Sequence, residues 1–374
     1  MKQAGYDLCS LAACAVNGLI PDREKVAAMD LEKLYTVSRM HSLTALCAVA
    51  LMSAGVELPA QWQGRKDMAV RRSILFTAER GKILRALEER GIWYLPLKGA
   101  ILAEMYPQPG MREMADNDIL YDKTRQKDVE EIMVALGYDA ECVGVGHHDV
   151  FKKKPIYNFE MHTGMFREGQ NALFTAYYEN IESRLIPDSD TSFGRHMRDE
   201  DFYIHITAHE YKHYINYGTG LRSLLDRYVY LLKKRDVLDF DYIRAECAKL
   251  GIADFEQESR SLCEKVLAGP ALPELAPSEQ QMLEAYLFSA TYGTMEKGVR
   301  RKMEKAYGKI SAGVKLRYIL RRIFPKPQSY MGYCPLAQKY RILIPYAWCK
   351  RLVILLVKGR NRIRNEISTV RDMD

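Results

Sequence analysis

Three carboxylates stand where a strand-borne metal site would place them. Asp116 and Asp118 lie in Asp116-Asn117-Asp118-Ile119-Leu120, and Glu160 lies in Phe159-Glu160-Met161-His162. Side chains alternate along a strand, so the two acids of D-x-D share one side. Carboxylates that close repel each other unless a cation sits between them. Magnesium takes oxygen ligands, commonly one or two carboxylates plus substrate phosphates. A third acid on a neighbouring strand completes a two-metal site, in which one ion activates an attacking hydroxyl and the other steadies a triphosphate. The cofactors this pattern expects are therefore two Mg2+ ions, with an NTP as co-substrate. Just upstream, Leu97-Lys98-Gly99-Ala100 offers a phosphate cradle. Gly99 lets the backbone approach closely, and the N–H groups of a following helix start point outward. Lys98 and Arg112 add positive charge. Each of these features alone is ordinary: a solvated D-x-D turn, a turn glycine, a surface glutamate, exposed cations. Their order along the chain is what sets them apart.

That order is strand, glycine, short helix, D-x-D strand, helix, strand with Glu160. Residues 92–97 read as a short strand, with Pro96 marking an edge or strand end. Residues 100–106 read as a short helix, and 119–121 as a strand directly after the acids. Thr124 caps a helix that Gly137 closes. Residues 155–163 form a further strand with Ile156, Asn158, Glu160 and His162 on one face. Around this mixed sheet the pattern is helical. A 3.6-period stripe runs from Leu31 through Leu51, ended by Gly55 and Pro59, and another helix spans 68–90. After residue 171 the clearest helix is 202–234, broken at Gly218 and Gly220, followed by helices near 241–250, 257–267, 278–292 and 315–323. The expected fold class is α+β, divided into an N-terminal helical region (1–90), an α/β core (91–168), a C-terminal helical domain (169–324) and a basic aromatic tail (325–374).

The segment LPLKGAILAEMYPQPGMREMADNDILYDKTRQKDVEEIMVALGY resembles the uncharacterised nucleotidyltransferase family, related to DNA polymerase β and the aminoglycoside nucleotidyltransferases. The shared features are the LKG turn, an Arg shortly before a D-x-D strand, a helix ending in Leu-Gly-Tyr, and a later strand carrying an acid and a His. The resemblance extends over the N-terminal helices (LYTVSRMHSLTALCAVAL) and a later helix (HITAHEYKHYINYGTGLRSLLDRYVYLL), to about residue 235. It implies a small mixed sheet flanked by helices, with Asp116 and Asp118 as metal ligands and Glu160 as the third acid. Two departures stand out: Ala100 where the wider superfamily has Ser or Gly, and Asn117 where an apolar residue is usual.

A rival motif is His209-Glu210-Tyr211-Lys212-His213, which matches H-E-x-x-H. On a helix both histidines face one way and would bind zinc, with Glu210 as general base. Asn216 and Thr219 occupy the positions where the longer metzincin form needs Gly and His, and Lys212 places a cation inside the motif. The alternatives are a hydrogen-bonded histidine face, or a helix whose Lys212 and His213, together with Arg222 and His162, line a substrate cleft.

The net charge of +7 over 374 residues admits an anionic substrate without demanding nucleic acid. Eight cysteines, none in C-x-x-C spacing, exclude a zinc ribbon and fit reduced thiols in the cytoplasm. Leu11-Ala12-Ala13-Cys14 resembles a lipoprotein box, but Asp7 interrupts the short apolar stretch before it. The basic tail at 340–364 suits a docked helix, with contact to a membrane surface or RNA as the alternative. The functional expectation is transfer of a nucleoside monophosphate from an NTP to a hydroxyl acceptor (a small molecule, an RNA end or a protein). A non-catalytic NTP-binding scaffold and a zinc protease are the competing readings.

Overall fold

The computed structural model describes residues 1–144, 147–167, 171–291, 295–309, 311–326, 340–358 and 360–372. Its contacts divide the chain into two compact units, one formed by Met1–Lys212 with Thr219–Thr291, the other by His213–Gly218 with Tyr292–Asp374. The composition boundaries at 90, 168 and 324 are not where these units part. Apart from residues 213–218, the N-terminal helices, the sheet and the helices to residue 291 share one unit.

The first unit opens with α1 (Lys2–Asn17), α2 (Arg23–Ala27), α3 (Leu31–Met40), α4 (Thr44–Ser53) and α5 (Ala60–Glu89). The apolar stripe from Leu31 to Leu51 is not one helix. Ser42 takes φ 54°, a left-handed conformation that ends α3 before α4 begins. The stripe survives because both helices bury their apolar residues, among them Leu34, Val37, Leu46 and Leu51. The lipoprotein-like Leu11–Cys14 stretch lies fully buried within α1.

The sheet follows. Its strands are β1 (Tyr94–Pro96), β2 (Asn117–Tyr121), β3 (Asp139–Cys142), β4 (His148–Lys153) and β5 (Tyr157–His162), in the order β1-β2-β5-β4-β3. Pro96 lies on an edge strand, as a residue without an N–H requires. β2 and β5 are parallel neighbours; the other pairs are antiparallel. Between β1 and β2 runs α6 (Lys98–Met105), and between β2 and β3 runs α7 (Gln126–Ala135). Asp122, rather than Thr124, caps the turn into α7 by accepting the Thr124 N–H at 2.9 Å. Gly137 closes it at φ 82°. One sheet face is core: Ile119, Tyr121, Phe151, Phe159 and Met161 pack with Ile83 and Leu87 of α5 and Val129, Ile132 and Met133 of α7. Alternation then sends Asp118, Glu160 and His162 to the opposite face.

The unit continues with α8 (Ala172–Tyr177), a two-residue strand pair β6 (Ile186–Pro187) and β7 (Arg195–His196), α9 (Asp199–Asn216), α10 (Leu221–Lys234), α11 (Phe240–Lys249), α12 (Ala253–Leu267) and α13 (Pro277–Leu287). Gly220, at the start of α10, is a forced small residue: a Cβ there would lie 2.6 Å from His41 Nδ1 and 3.0 Å from the Thr291 backbone.

In the second unit, helices Met295–Tyr307, Ala312–Ile323, Ile344–Lys358 and Arg360–Asp372 pack together. The basic tail is tied into this unit. Tyr318 donates to Glu366 at 2.6 Å, Arg351 to the Arg322 carbonyl at 2.9 Å, and Trp348 stacks on Phe324. Among the described residues, no helix is long and apolar enough to cross a membrane.

Candidate functional site

Parallel pairing of β2 with β5 sets Asp118 opposite Glu160 and Leu120 opposite His162. The consequence is a compact donor group: one ligand atom each from Asp118, Glu160 and His162 lies within 4.8 Å of the others. His162 Nε2 is 3.3 Å from Asp118 Oδ1 and 3.8 Å from Glu160 Oε2, and His148 Nε2 is 3.6 Å from Glu160 Oε2. Asp116 sits one residue before β2. It feels the charges of Asp118, Lys98, Arg222 and Arg112, but it is outside that donor group.

The electrostatics are those of acids crowded without enough counter-charge. Burial, then the charges of Asp118 and Asp116, push the Glu160 carboxyl up to about 7. Burial and the Asp118 charge also raise Asp116. Asp118 is the exception. Burial would raise it, but the hydrogen bond from His162, the field of His162 and the Lys98 ammonium together bring it down to about 2. Two oxygen donors facing one another with one of them held partly protonated is a set that fits a hard divalent cation.

Cations gather around this group from three helices, α6, α9 and α10. Leu97, the residue before α6, donates its N–H to the Asp118 carbonyl at 2.9 Å, which seats the start of α6 beside the acids. Lys98 and Gly99 are its first residues. Gly99 is not sterically forced, since the nearest atoms to a Cβ there are 3.5 Å away. Ala100 is buried. Burial pulls the Lys98 ammonium down to about 7, with Lys212 and Arg112 adding to the effect and Asp118 opposing it. Lys98 Nζ lies 2.6 Å from the His209 ring nitrogens. From α9, Lys212 is held 5.4 Å over the Phe166 ring, and the charges of Asp118 and Glu160 partly offset its desolvation. Arg222 of α10 donates to the Glu113 carbonyl at 3.0 Å and contributes to the field on Asp116.

Arg112 is placed differently from a free phosphate ligand. It is buried and forked onto Asp226 of α10 at 2.8 and 2.9 Å, while Nη1 reaches the Gly99 carbonyl at 3.3 Å. Tyr106 donates to the same Asp226 at 2.8 Å. The fork locks α6 to α10, and so positions Lys98. Asn117, the other departure from the family pattern, is buried and accepts from Arg80 at 3.1 Å. It ties β2 to α5 and does not disturb the strand.

The zinc-protease reading fails on this geometry. Glu210 is a buried ion-pair partner of Arg227 and accepts from Tyr286 at 2.6 Å, so both of its carboxylate oxygens are already engaged within the core. His209 is engaged with Lys98. Neither candidate metal group among the described residues contains His209 or His213. His213 falls within the second unit, on the last turn of α9.

The residues that sequence reasoning missed are His147 and His148. Antiparallel pairing sets His148 opposite His162, with ring centroids 5.1 Å apart, and His147 stacks edgewise on both. Two consecutive histidines ahead of a strand that pairs with Glu-x-His were the available signal, but its meaning depends on register.

The proton held by Glu160 has a measurable consequence. A cation must displace it, so metal affinity should fall as pH drops below about 7, approaching tenfold per unit. The groups that face Glu160 are Asp118, Asp116, His162, His148, Lys98 and Lys212. Titrating Mg2+ calorimetrically into the nucleotide-free protein at about pH 8 and about pH 6 should show the loss and its proton release. Equal affinity at both would place Glu160 outside the cation's shell.

No curated protein and no solved structure matches the chain. The model of a family described as uncharacterised nucleotidyltransferase matches residues 27–268, a span that holds α3 to α12, the five-stranded sheet and every site residue above. The chain therefore belongs to the uncharacterised nucleotidyltransferase family.

Proposed function

We propose that the protein transfers a nucleoside monophosphate from an NTP to a hydroxyl-bearing acceptor. The observation that carries this reading is the facing of Asp118 and Glu160 across parallel strands, beside the start of α6 with Lys98. Asp118 and Glu160 would hold Mg2+, with Asp116, two residues before Asp118 and just ahead of β2, to serve a second ion. Bound there, magnesium supplies Lewis-acid polarisation of the phosphoryl oxygens.

The chain's own residues do the rest. Lys98, with the first N–H groups of α6, binds the triphosphate, and phosphate oxygens restore the ammonium that burial disfavours. Lys212 and Arg222 line the remaining positive wall. Arg112 and Asp226 orient α6 from behind. The acceptor oxygen forms a bond to the α-phosphorus as the bond to the bridging oxygen breaks. Pyrophosphate leaves with that electron pair, and Glu160, when deprotonated, takes the hydroxyl proton.

Magnesium-dependent release of pyrophosphate, assayed with each NTP against panels of small-molecule, RNA and protein acceptors, tests this reading. Turnover in the wild type that disappears in Asp118→Asn supports it. Tight NTP binding without turnover on any acceptor supports the scaffold reading, which the buried methyl of Ala100 in place of a hydroxyl favours.

A further inference from the structure

We propose that His147, His148 and His162 form a site for a divalent transition ion of imidazole preference, Zn2+ or Co2+ in class, adjoining the carboxylate pair. One ring nitrogen of each histidine lies within 4.8 Å of the other two. The arrangement is built by the backbone. His148 and His162 are register partners on β4 and β5, and the His147 carbonyl accepts the Thr163 N–H at 2.9 Å, which extends the same ladder.

Two features distinguish this cluster from a stacked-ring patch. First, Nδ1 of His148 and Nδ1 of His162 are buried with no hydrogen-bond partner among the described residues, and His162 as a whole is only 8% exposed. A buried nitrogen lone pair or N–H left unpaired costs free energy that a ligand restores. Second, the opposite nitrogens of the same rings face carboxylates: His162 Nε2 faces Asp118, and His148 Nε2 faces Glu160. Metal-bound histidines characteristically offer one nitrogen to the ion and turn the other to a carboxylate or carbonyl, which fixes ring orientation and raises basicity. Three imidazoles suit zinc, cobalt or nickel and do not suit magnesium, which prefers oxygen. The cluster is therefore chemically distinct from the Asp118–Glu160 pair, although the two share His162. The site does not depend on the nucleotidyl-transfer reading.

Cobalt is the direct probe, because its visible absorption reports nitrogen ligation. The purified full-length protein, stripped of metal and without nucleotide, should take up about one Co2+ per chain with ligand-field bands, and Zn2+ should displace it. His147→Ala and His148→Gln, as losses of direct ligands, should each weaken Co2+ binding by more than about 100-fold, the upper cost of losing an outer partner. Both should keep the wild-type thermal melt, and His147→Ala should keep magnesium-dependent NTP binding. Asp118→Asn should lose NTP binding while weakening Co2+ binding only by about 10–100-fold, the cost to a metal-bound histidine of losing its carboxylate partner, so failure of one reading is separable from failure of the other. The proposal is overturned by absence of stoichiometric Co2+ binding. It is equally overturned by Co2+ binding that survives in a folded His147→Ala, His148→Gln double variant, or by binding that His209→Ala removes instead.

Discussion

Asp118→Asn is expected to yield a folded protein that no longer binds NTP in response to magnesium, with any turnover reduced by roughly a thousandfold or more. The fold should survive because Asp118 serves no structural network. Its side chain accepts from His162, and an Asn carbonyl oxygen can do the same. What is lost is the one acid of the three whose carboxyl the surroundings lower rather than raise. Burial raises Glu160 and Asp116, whereas His162 and Lys98 hold Asp118 at about 2. The substitution should also let the Glu160 carboxyl titrate lower, because the Asp118 charge is the second cause of its rise after burial. Nucleotide binding by fluorescence, with and without Mg2+, together with a carboxylate NMR titration, checks both halves. Unchanged magnesium-dependent binding would move the site elsewhere.

The largest expected effect on stability comes from Glu210→Ala. Arg227 is completely buried and directs Nε and Nη2 to Glu210, with Nη1 going to Tyr203 and Thr207 at 3.0 Å. Removing the carboxylate strands a guanidinium in the interior and takes away the acceptor of the Tyr286 hydroxyl. Breaking a buried pair from one side costs about 3–5 kcal/mol. The loss should show as an early unfolding transition in urea, with Glu210→Gln intermediate because its one amide oxygen still accepts from either Tyr286 or the guanidinium. The same variants decide the status of the H-E-x-x-H sequence. A catalytic base would be silent in stability and lethal to activity. A structural glutamate behaves the other way, and a stable, fully folded Glu210→Ala would refute the packing described above.

The parts of the site legible in the sequence are those that strand alternation controls locally. D-x-D and Glu-x-His each put two groups on one face within three residues, so Asp118, Glu160 and His162 were foreseeable once their strands were placed. The glycine-to-helix start at Lys98 was legible for the same local reason, and Gly218 and Gly220 announced the break between α9 and α10. What stayed hidden depends on partners far along the chain. Arg112 looks like a free phosphate ligand until Asp226, 114 residues away, is seen to hold it. Glu210 looks like a base until Arg227 is folded onto it. β3 and β4 were missed because their sequences are short and rich in charge and histidine, and their strand character comes from pairing with β5. His147 and His148 were missed with them.

Crystals soaked with a non-hydrolysable NTP and Mn2+, read by anomalous diffraction, test the central claim most directly. The account predicts manganese between Asp118 and Glu160 with the triphosphate laid along the start of α6 against Lys98. Nucleotide bound away from these residues, or manganese absent from the two carboxylates while phosphate is present, would contradict it.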